Sequence, residues 1–177
     1  MEKQKNVGPV AVALTVLSAL GRLLPHQPNV TPVGASSLFA GARVNGSMGW
    51  MAYLLPILVM AATDPLVGGY SRATPVIYLS FLISVWIGRR VRSTNSALRI
   101  GGACVLSSVQ FFLLTNFATW MFGTMYAKSF AGLATCYVAA LPFFGATLAG
   151  DLFFTAAIFG AYALVARSIA RPETIHA

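Results

Sequence analysis

LPFFGATLAGDLFFTAAIFGAYAL, residues 141–164, is the stretch that decides how this chain folds. It is long enough to cross a bilayer as a helix, which takes about 20 mostly apolar residues. Its one ionisable side chain is Asp151. A carboxylate in such a segment is costly unless it is paired, hydrated or near the interface, so Asp151 is a candidate site residue. The alternative is an interfacial Asp at a helix start, stabilised by the positive end of the helix dipole.

The composition of the whole chain agrees with a membrane setting. Of its 177 residues, 57% are hydrophobic and 9% are charged, and the mean hydropathy is +0.74. Soluble domains average about 25% charged residues, so we predict one integral membrane domain over residues 1–177, surrounded by the lipid bilayer. The net charge of +8 comes from basic residues in short gaps between apolar runs. That placement is typical of topology determinants, and we expect no nucleic-acid partner.

The apolar runs and the turns between them predict the fold class. We predict an all-α membrane protein, a six-helix transmembrane bundle with a re-entrant or interfacial segment before the last helix. The predicted spans are residues 7–24, 32–44, 48–63, 75–88, 99–118 and 147–168. The predicted interfacial segment is 127–142, whose apolar run before Pro142 is shorter than a spanning helix requires.

The distribution of basic residues favours six spans over seven. With six spans and the N-terminus inside, three basic residues lie outside: Arg22, Arg72 and Lys128. The other nine lie inside: Lys3, Lys5, Arg43, Arg89, Arg90, Arg92, Arg99, Arg167 and Arg171. A seventh span would move the last two across and weaken this asymmetry. By the positive-inside rule we predict a multi-pass protein of the bacterial cytoplasmic (inner) membrane with both termini cytoplasmic.

Several chemical classes lack their signatures in this sequence. There is no G-x-x-x-x-G-K-[ST] loop for ATP, no H-E-x-x-H and no paired Cys/His spacing for a metal. Cys104 and Cys136 lie singly in apolar runs, where cysteine is usually a packing residue. We therefore predict a protein that is not an enzyme and that uses neither a cofactor nor a metal.

The predicted topology collects polar and aromatic residues at the outer face. Asp151 would lie there, at the outer end of the last helix. The predicted substrate-binding residues are Asn29, Thr31, Asp64, Asn116, Trp120, Asp151 and Arg22. Such a cluster fits a pocket for a small solute, and it fits an ordinary hydrated membrane surface equally well. Arg22 could offset a carboxylate of the solute, or it could pair with an Asp of the chain.

A stripe of small residues follows one face of the first predicted helix. Ala11, Thr15 and Ala19 recur at every fourth position. Small residues in this pattern let another helix approach closely. The stripe could contact a partner, or it could pack against other helices of the same chain.

Two longer patterns carry a family resemblance. PNVTPVGASSLFAGARVNGSMGW, residues 28–50, has a short outer loop, a small-residue helix and a tight turn. SFAGLATCYVAALPFFGATLAGDLFFTA, residues 129–156, places Leu-Pro-Phe before a Gly-Asp that opens the last helix. Both resemble substrate-binding (S) subunits of energy-coupling-factor (ECF) vitamin transporters, especially the biotin-transporter family. The pattern RLLPHxPNxTPVGA also resembles an uncharacterised group of bacterial membrane proteins.

The resemblance implies a six-helix bundle that binds a micronutrient near the outer face. It also implies docking on a transmembrane coupling subunit that carries ATPase subunits, with Ala11, Thr15 and Ala19 as the docking surface. Biotin-type subunits have a Lys three residues after the Asp, and this chain has Phe154 there. The cation that would meet a substrate carboxylate is therefore missing at that position.

These observations lead to two functional hypotheses. The first is a small-solute (vitamin or micronutrient) binding membrane subunit of an ECF-type uptake transporter. The alternative is a non-catalytic accessory or structural subunit of a larger membrane protein complex. The first requires polar side chains that meet in one pocket, and the second requires only packing faces.

Overall fold

The computed structural model describes residues 7–25 and 30–170. Over these residues the chain forms six α-helices and no strand, which confirms the all-α prediction. Each of the six predicted spans contains helical residues of a different α-helix. The helices are α1 Val7–Leu20, α2 Val33–Arg43, α3 Met51–Val67, α4 Thr74–Arg90, α5 Ala97–Phe122 and α6 Phe130–Ala170. A 3₁₀ turn at Gly21–Leu23 extends α1.

Two of the described helices are long and apolar enough to cross a membrane. They are Ala97–Phe122 and Phe130–Ile169, by length and composition. Val7–Leu23 and Met51–Val67 are apolar but shorter. The long pair, α5 and α6, packs together, and the shorter helices pack around it and around α2.

The short helix α2 lies at the centre of the structure. It has 11 residues, nine of which are buried, and it packs against α1, α3, α4 and α6. At 1.5 Å per residue it is about 16 Å long, roughly half the thickness of a bilayer core. The segment predicted as the second span is thus a short helix enclosed by its neighbours.

Two glycines bring the backbones of α2 and α4 into contact. A Cβ added to Gly41 would lie 1.9 Å from the carbonyl oxygen of Val85, and one added to Gly88 would lie 2.1 Å from that of Leu38. No side chain fits at either position without moving a backbone. Small residues at helix crossings allow this approach, so the α2–α4 contact depends on both glycines.

The predicted break before the last helix is absent. α6 runs for 41 residues through Pro142, so the prediction of a separate segment at 127–142 is wrong. A proline removes one intrahelical hydrogen bond, and packing against α5 supports the helix on either side of it. The Tyr137 hydroxyl donates to the carbonyl of Leu113 at 2.7 Å, and the rings of Phe112 and Phe144 lie 4.8 Å apart.

The small-residue stripe of α1 faces the interior of the chain. Ala11, Thr15 and Ala19 are each 0% exposed, because α1 packs against α2 and α3. The Thr15 hydroxyl donates to the carbonyl of Ala11 at 2.9 Å and so needs no outside partner. The expectation that these residues dock a partner subunit is therefore wrong, and the alternative of packing within the chain is correct.

Arg43, the last residue of α2, holds the turn between α4 and α5. Its guanidinium donates to the carbonyl oxygens of Arg92 at 3.0 Å and Thr94 at 2.9 Å. It also donates to the side-chain oxygen of Asn95 at 3.0 Å and lies 5.0 Å from the ring centroid of Phe159. One side chain thus joins α2, the α4–α5 turn and α6.

Candidate functional site

Two buried carboxylates stand out inside the bundle. Asp64 near the end of α3 is 6% exposed, and Asp151 near the middle of α6 is 8% exposed. They are the only acidic residues in the part of the chain that the structure describes. Because buried charges are normally paired, the partners of each carboxylate decide what it does.

Asp64 is fully partnered. Arg22 Nη1 lies 2.7 Å from Asp64 Oδ1 and also donates to the Thr63 hydroxyl at 3.0 Å. The Tyr78 hydroxyl donates to the other carboxylate oxygen at 2.7 Å. This pair links the 3₁₀ turn after α1 with α3 and α4. Of the two roles left open for Arg22, the structure shows the pairing with an Asp.

Asp151 has no cationic partner. Within residues 7–25 and 30–170 the only ion pair is Arg22–Asp64. The Ser108 hydroxyl donates to Asp151 Oδ2 at 2.6 Å. On the other side Oδ1 faces Gly34 at the start of α2, where an added Cβ would lie 2.5 Å away. The carboxylate is thus enclosed between α2 and α5.

The position of Asp151 along its helix differs from the expectation. It was predicted at the outer end of the last helix. Because α6 begins at Phe130, Asp151 lies about halfway along it and meets Ser108, itself well inside α5. The alternative of an interfacial Asp at the start of its own helix does not apply. The helix start near this carboxylate is that of α2.

The contacts of Asp151 can be weighed against the cost of burying its charge. That cost is several kcal/mol for an ion inside a protein. A hydrogen bond to a charged group contributes about 1.5–3 kcal/mol, and the positive end of a helix such as α2 contributes about 0.3–2 kcal/mol. An ionised Asp151 thus has room for a further donor or cation, which makes it the centre of the candidate site.

Phe111 lines three of the cavities among the described residues. The Asp151 cavity, of about 30 Å³, is also lined by Thr31 and Thr147. The Arg22 cavity, of about 260 Å³, shares Thr31 with it. The Asn116 cavity, of about 370 Å³, shares Thr147 with it. The Asp151 cavity, the smallest of the three, thus shares lining side chains with each of the other two.

The predicted site residues divide among these cavities. Arg22, Thr31 and Asp64 line the Arg22 cavity, and Thr31 and Asp151 line the Asp151 cavity. Asn116 lines the third cavity, but its amide donates within its own helix to the carbonyl of Phe112 at 2.8 Å.

Two predicted residues are not part of this arrangement. Trp120 lines none of the three cavities, and its indole N–H donates to the carbonyl of Ala127 at 2.8 Å, in the turn before α6. Asn29 lies outside the described residues.

Hydrogen-bonded polar side chains lie between α4 and α5, and they were not predicted as part of the site. Ser107 donates to the Ser84 hydroxyl at 2.7 Å. The Gln110 amide donates to the same hydroxyl at 3.1 Å and to the carbonyl of Ser80 at 2.9 Å. Its carbonyl oxygen is buried without a hydrogen-bond partner. In the sequence these side chains could have been found as Ser107 and Gln110, two polar residues inside the apolar run 99–118.

Comparison with known proteins places the chain in a family. A family model described as "Family of unknown function (DUF6580)" matches residues 2–173. The chain belongs to this family. The match spans all six helices and both buried carboxylates, so the candidate site lies entirely within the DUF6580 region. No curated protein and no solved structure matches the chain.

A larger cavity lies elsewhere among the described residues of this DUF6580 chain. It has a volume of about 750 Å³ between the start of α5 and the last turns of α6. Its lining is mostly aliphatic and aromatic, with Arg43 and Arg167 among the few polar residues. Arg43 already binds the α4–α5 turn. The polar groups that could orient a small solute are concentrated around Asp151 instead.

Proposed function

We propose that this chain is a small-solute-binding membrane subunit of an ECF-type uptake transporter for a vitamin or micronutrient. The observation that carries the proposal is the buried Asp151 in a cavity that shares lining side chains, Phe111 among them, with two larger cavities. Solute sites lie between helices of bundles and use a few polar groups on an apolar lining. An ionisable residue held at membrane depth is by default part of such a site.

The proposal includes six membrane crossings with both termini in the cytoplasm. The ends of α2 and α4 carry Arg43, Arg89 and Arg90, which fits the positive-inside rule for a cytoplasmic face. α2 crosses only about half of the membrane core, and irregular backbone at that depth is tolerated where protein surrounds it. Nine residues of α2 are buried, so other helices of the chain surround it.

The orientation can be tested by cysteine labelling. Ser47 lies in the turn between α2 and α3, Ser71 lies in the turn between α3 and α4, and both are exposed. The native Cys104 and Cys136 are buried. With a membrane-impermeant maleimide on whole cells, we expect S71C to react and S47C to react only after permeabilisation. The unsubstituted chain is the control, and the reverse labelling pattern would contradict the proposed orientation.

The transporter proposal also implies partners. A transmembrane coupling subunit with ATPase subunits would pack against the outside of the bundle, where Phe153 and Leu164 on α6 are 67% and 66% exposed. Isolation from native membranes should yield these ATPase subunits in stoichiometric amounts. Stoichiometric partners without an ATPase would instead support the alternative of a non-catalytic accessory or structural subunit.

The main experiment asks whether a small molecule stays bound. The chain is purified in mild detergent and denatured, and the released molecules are identified by mass spectrometry. We expect one molecule with the native chain and at least about thirtyfold less with D151N, since removing one partner of a buried charge contact is costly. R90Q is the control because Arg90 stacks on Trp86, 4.2 Å from its ring centroid, away from the cavities. Unchanged solute content in D151N would show that the charge of Asp151 is not needed for binding. A native chain that releases no molecule, together with normal uptake in D151N cells, would refute the proposal.

A further inference from the structure

We propose that the solute carries a protonated amine and that Asp151 is its counter-ion. This inference rests on the proposed function and adds to it the chemical class of the solute. Its starting point is the contrast between the two buried carboxylates. Asp64 already has a guanidinium at 2.7 Å, whereas Asp151 has only the hydroxyl of Ser108 at 2.6 Å.

Among the described residues, the side chains that line the Asp151 cavity supply no positive charge. The helices packed against it contribute Gly34 from α2, Ser84 from α4 and Ser107 from α5, and none of the residues that line its cavity is Lys, Arg or His. The Ser108 hydroxyl, which also lies 3.1 Å from the carbonyl oxygen of Cys104, donates over the shorter distance of 2.6 Å to Oδ2. The remaining hydrogen-bonding capacity of an ionised carboxylate is for accepting. A ligand group in this cavity is therefore best matched by N–H donors and a positive charge.

The Arg22 cavity adds no net positive charge near Asp151. Arg22 lines it, but its Nη1 is bound to Asp64 at 2.7 Å and to the Thr63 hydroxyl at 3.0 Å. Arg22 and Asp64 cancel each other, which leaves the charge of Asp151 uncompensated. An anionic solute would meet repulsion there, and a cationic one would meet attraction.

Aromatic rings next to the carboxylate fit the same ligand. Phe81 and Phe111 both line the Asp151 cavity, and their ring centroids lie 5.2 Å apart. The face of an aromatic ring attracts ammonium groups. The volume of about 30 Å³ is close to that of one water molecule, so the cavity admits an ammonium group and little more. The rest of the solute would extend into the Asn116 cavity, of about 370 Å³.

The test combines a probe cation with the identity of the bound molecule. Thermal unfolding of the chain in lipid nanodiscs is followed with methylammonium chloride, with sodium chloride at the same ionic strength, and with methanol as a neutral molecule of similar size. We expect methylammonium alone to raise the unfolding midpoint of the native chain and of R90Q. The shift should vanish in D151N and shrink in F111L, which keeps an apolar side chain but removes the ring. The molecule released on denaturation should contain a basic nitrogen.

Other results would overturn the inference. An equal shift with sodium would assign the cavity to an inorganic cation. No shift with methylammonium, together with full solute retention by D151N, would show that Asp151 is held as a neutral acid. A retained solute without a basic nitrogen would refute the amine and leave the solute-binding function standing. The function itself fails if no molecule is retained and D151N cells take up solutes normally.

Discussion

Arg22 and Asp64 form a buried ion pair in which 2.7 Å separates Nη1 from Oδ1. Their side chains are only 12% and 8% exposed, and the two residues lie 42 positions apart in the chain. The pair ties the end of the first helix to the third, and Tyr78 adds the fourth helix through its hydroxyl. It therefore organises one end of the bundle.

Breaking this pair on one side should destabilise the fold. R22Q leaves Asp64 buried without a cation, and such a change typically costs about 3–5 kcal/mol. We expect a loss of that order in the free energy of unfolding, measured by titration with SDS in mixed micelles. The double variant R22L/D64L should recover much of the loss because it leaves no buried charge. A double variant as unstable as R22Q would contradict this account.

The glycines at the α2–α4 crossing should not tolerate alanine. G41A places its Cβ 1.9 Å from a carbonyl oxygen, so the two helices must separate. We expect little folded protein, measured as the monodisperse fraction after size-exclusion chromatography. G101A is the matched control, since nothing lies within 4 Å of its added Cβ. In the control we expect a gain of about 0.5–1 kcal/mol from the better helix former. Equal yields of folded G41A and G101A would show that α2 and α4 leave enough space for a Cβ at residue 41.

The hydroxyl of Ser108, which also donates to the carbonyl of Cys104 at 3.1 Å, should contribute more when Asp151 is charged. S108A removes a hydrogen bond to a charged group, for an expected loss of about 1.5–3 kcal/mol in the free energy of unfolding. In the D151N background the same change should cost about 0.5–1.5 kcal/mol, as for a neutral bond. S168A is the control, because Ser168 is exposed and bonds only its own helix, at Leu164. Equal costs in both backgrounds would indicate a neutral Asp151.

Lysine should not replace Arg43. The guanidinium fork donates to the carbonyls of Arg92 and Thr94 at once, and a single ammonium cannot match that geometry. In R43K we expect amide hydrogen exchange in residues 92–96 to be roughly tenfold faster, since local opening follows the loss of such contacts. R90K, at an exposed stack on Trp86, should leave this segment unchanged. Unchanged amide exchange in R43K would show that residues 92–96 keep their conformation without the contacts of Arg43.

The sequence by itself determined the helices and most of the turns. Apolar runs separated by polar turns located six helical segments, because local hydrophobicity and helix breakers act over a few residues. The turns contain Gly46 at φ +66° and Gly69 at φ +75°, a conformation that favours glycine. Pro142 misled the prediction because packing against α5 outweighs the loss of one hydrogen bond in α6.

Tertiary structure alone decided what each polar residue does. The sequence allows Arg22 to pair with either buried carboxylate. Only the packing of α1 against α3 brings its guanidinium to Asp64. The packing of α1 against α2 and α3 buries the stripe of α1, and the packing of α6 against α5 and α2 places Asp151 beside Ser108 and Gly34. Pairing of side chains on different helices depends on how those helices cross, and spacing along the chain does not specify crossings. The sequence therefore showed that a carboxylate lies in an apolar helix, and the fold showed that none of the described residues pairs it with a cation.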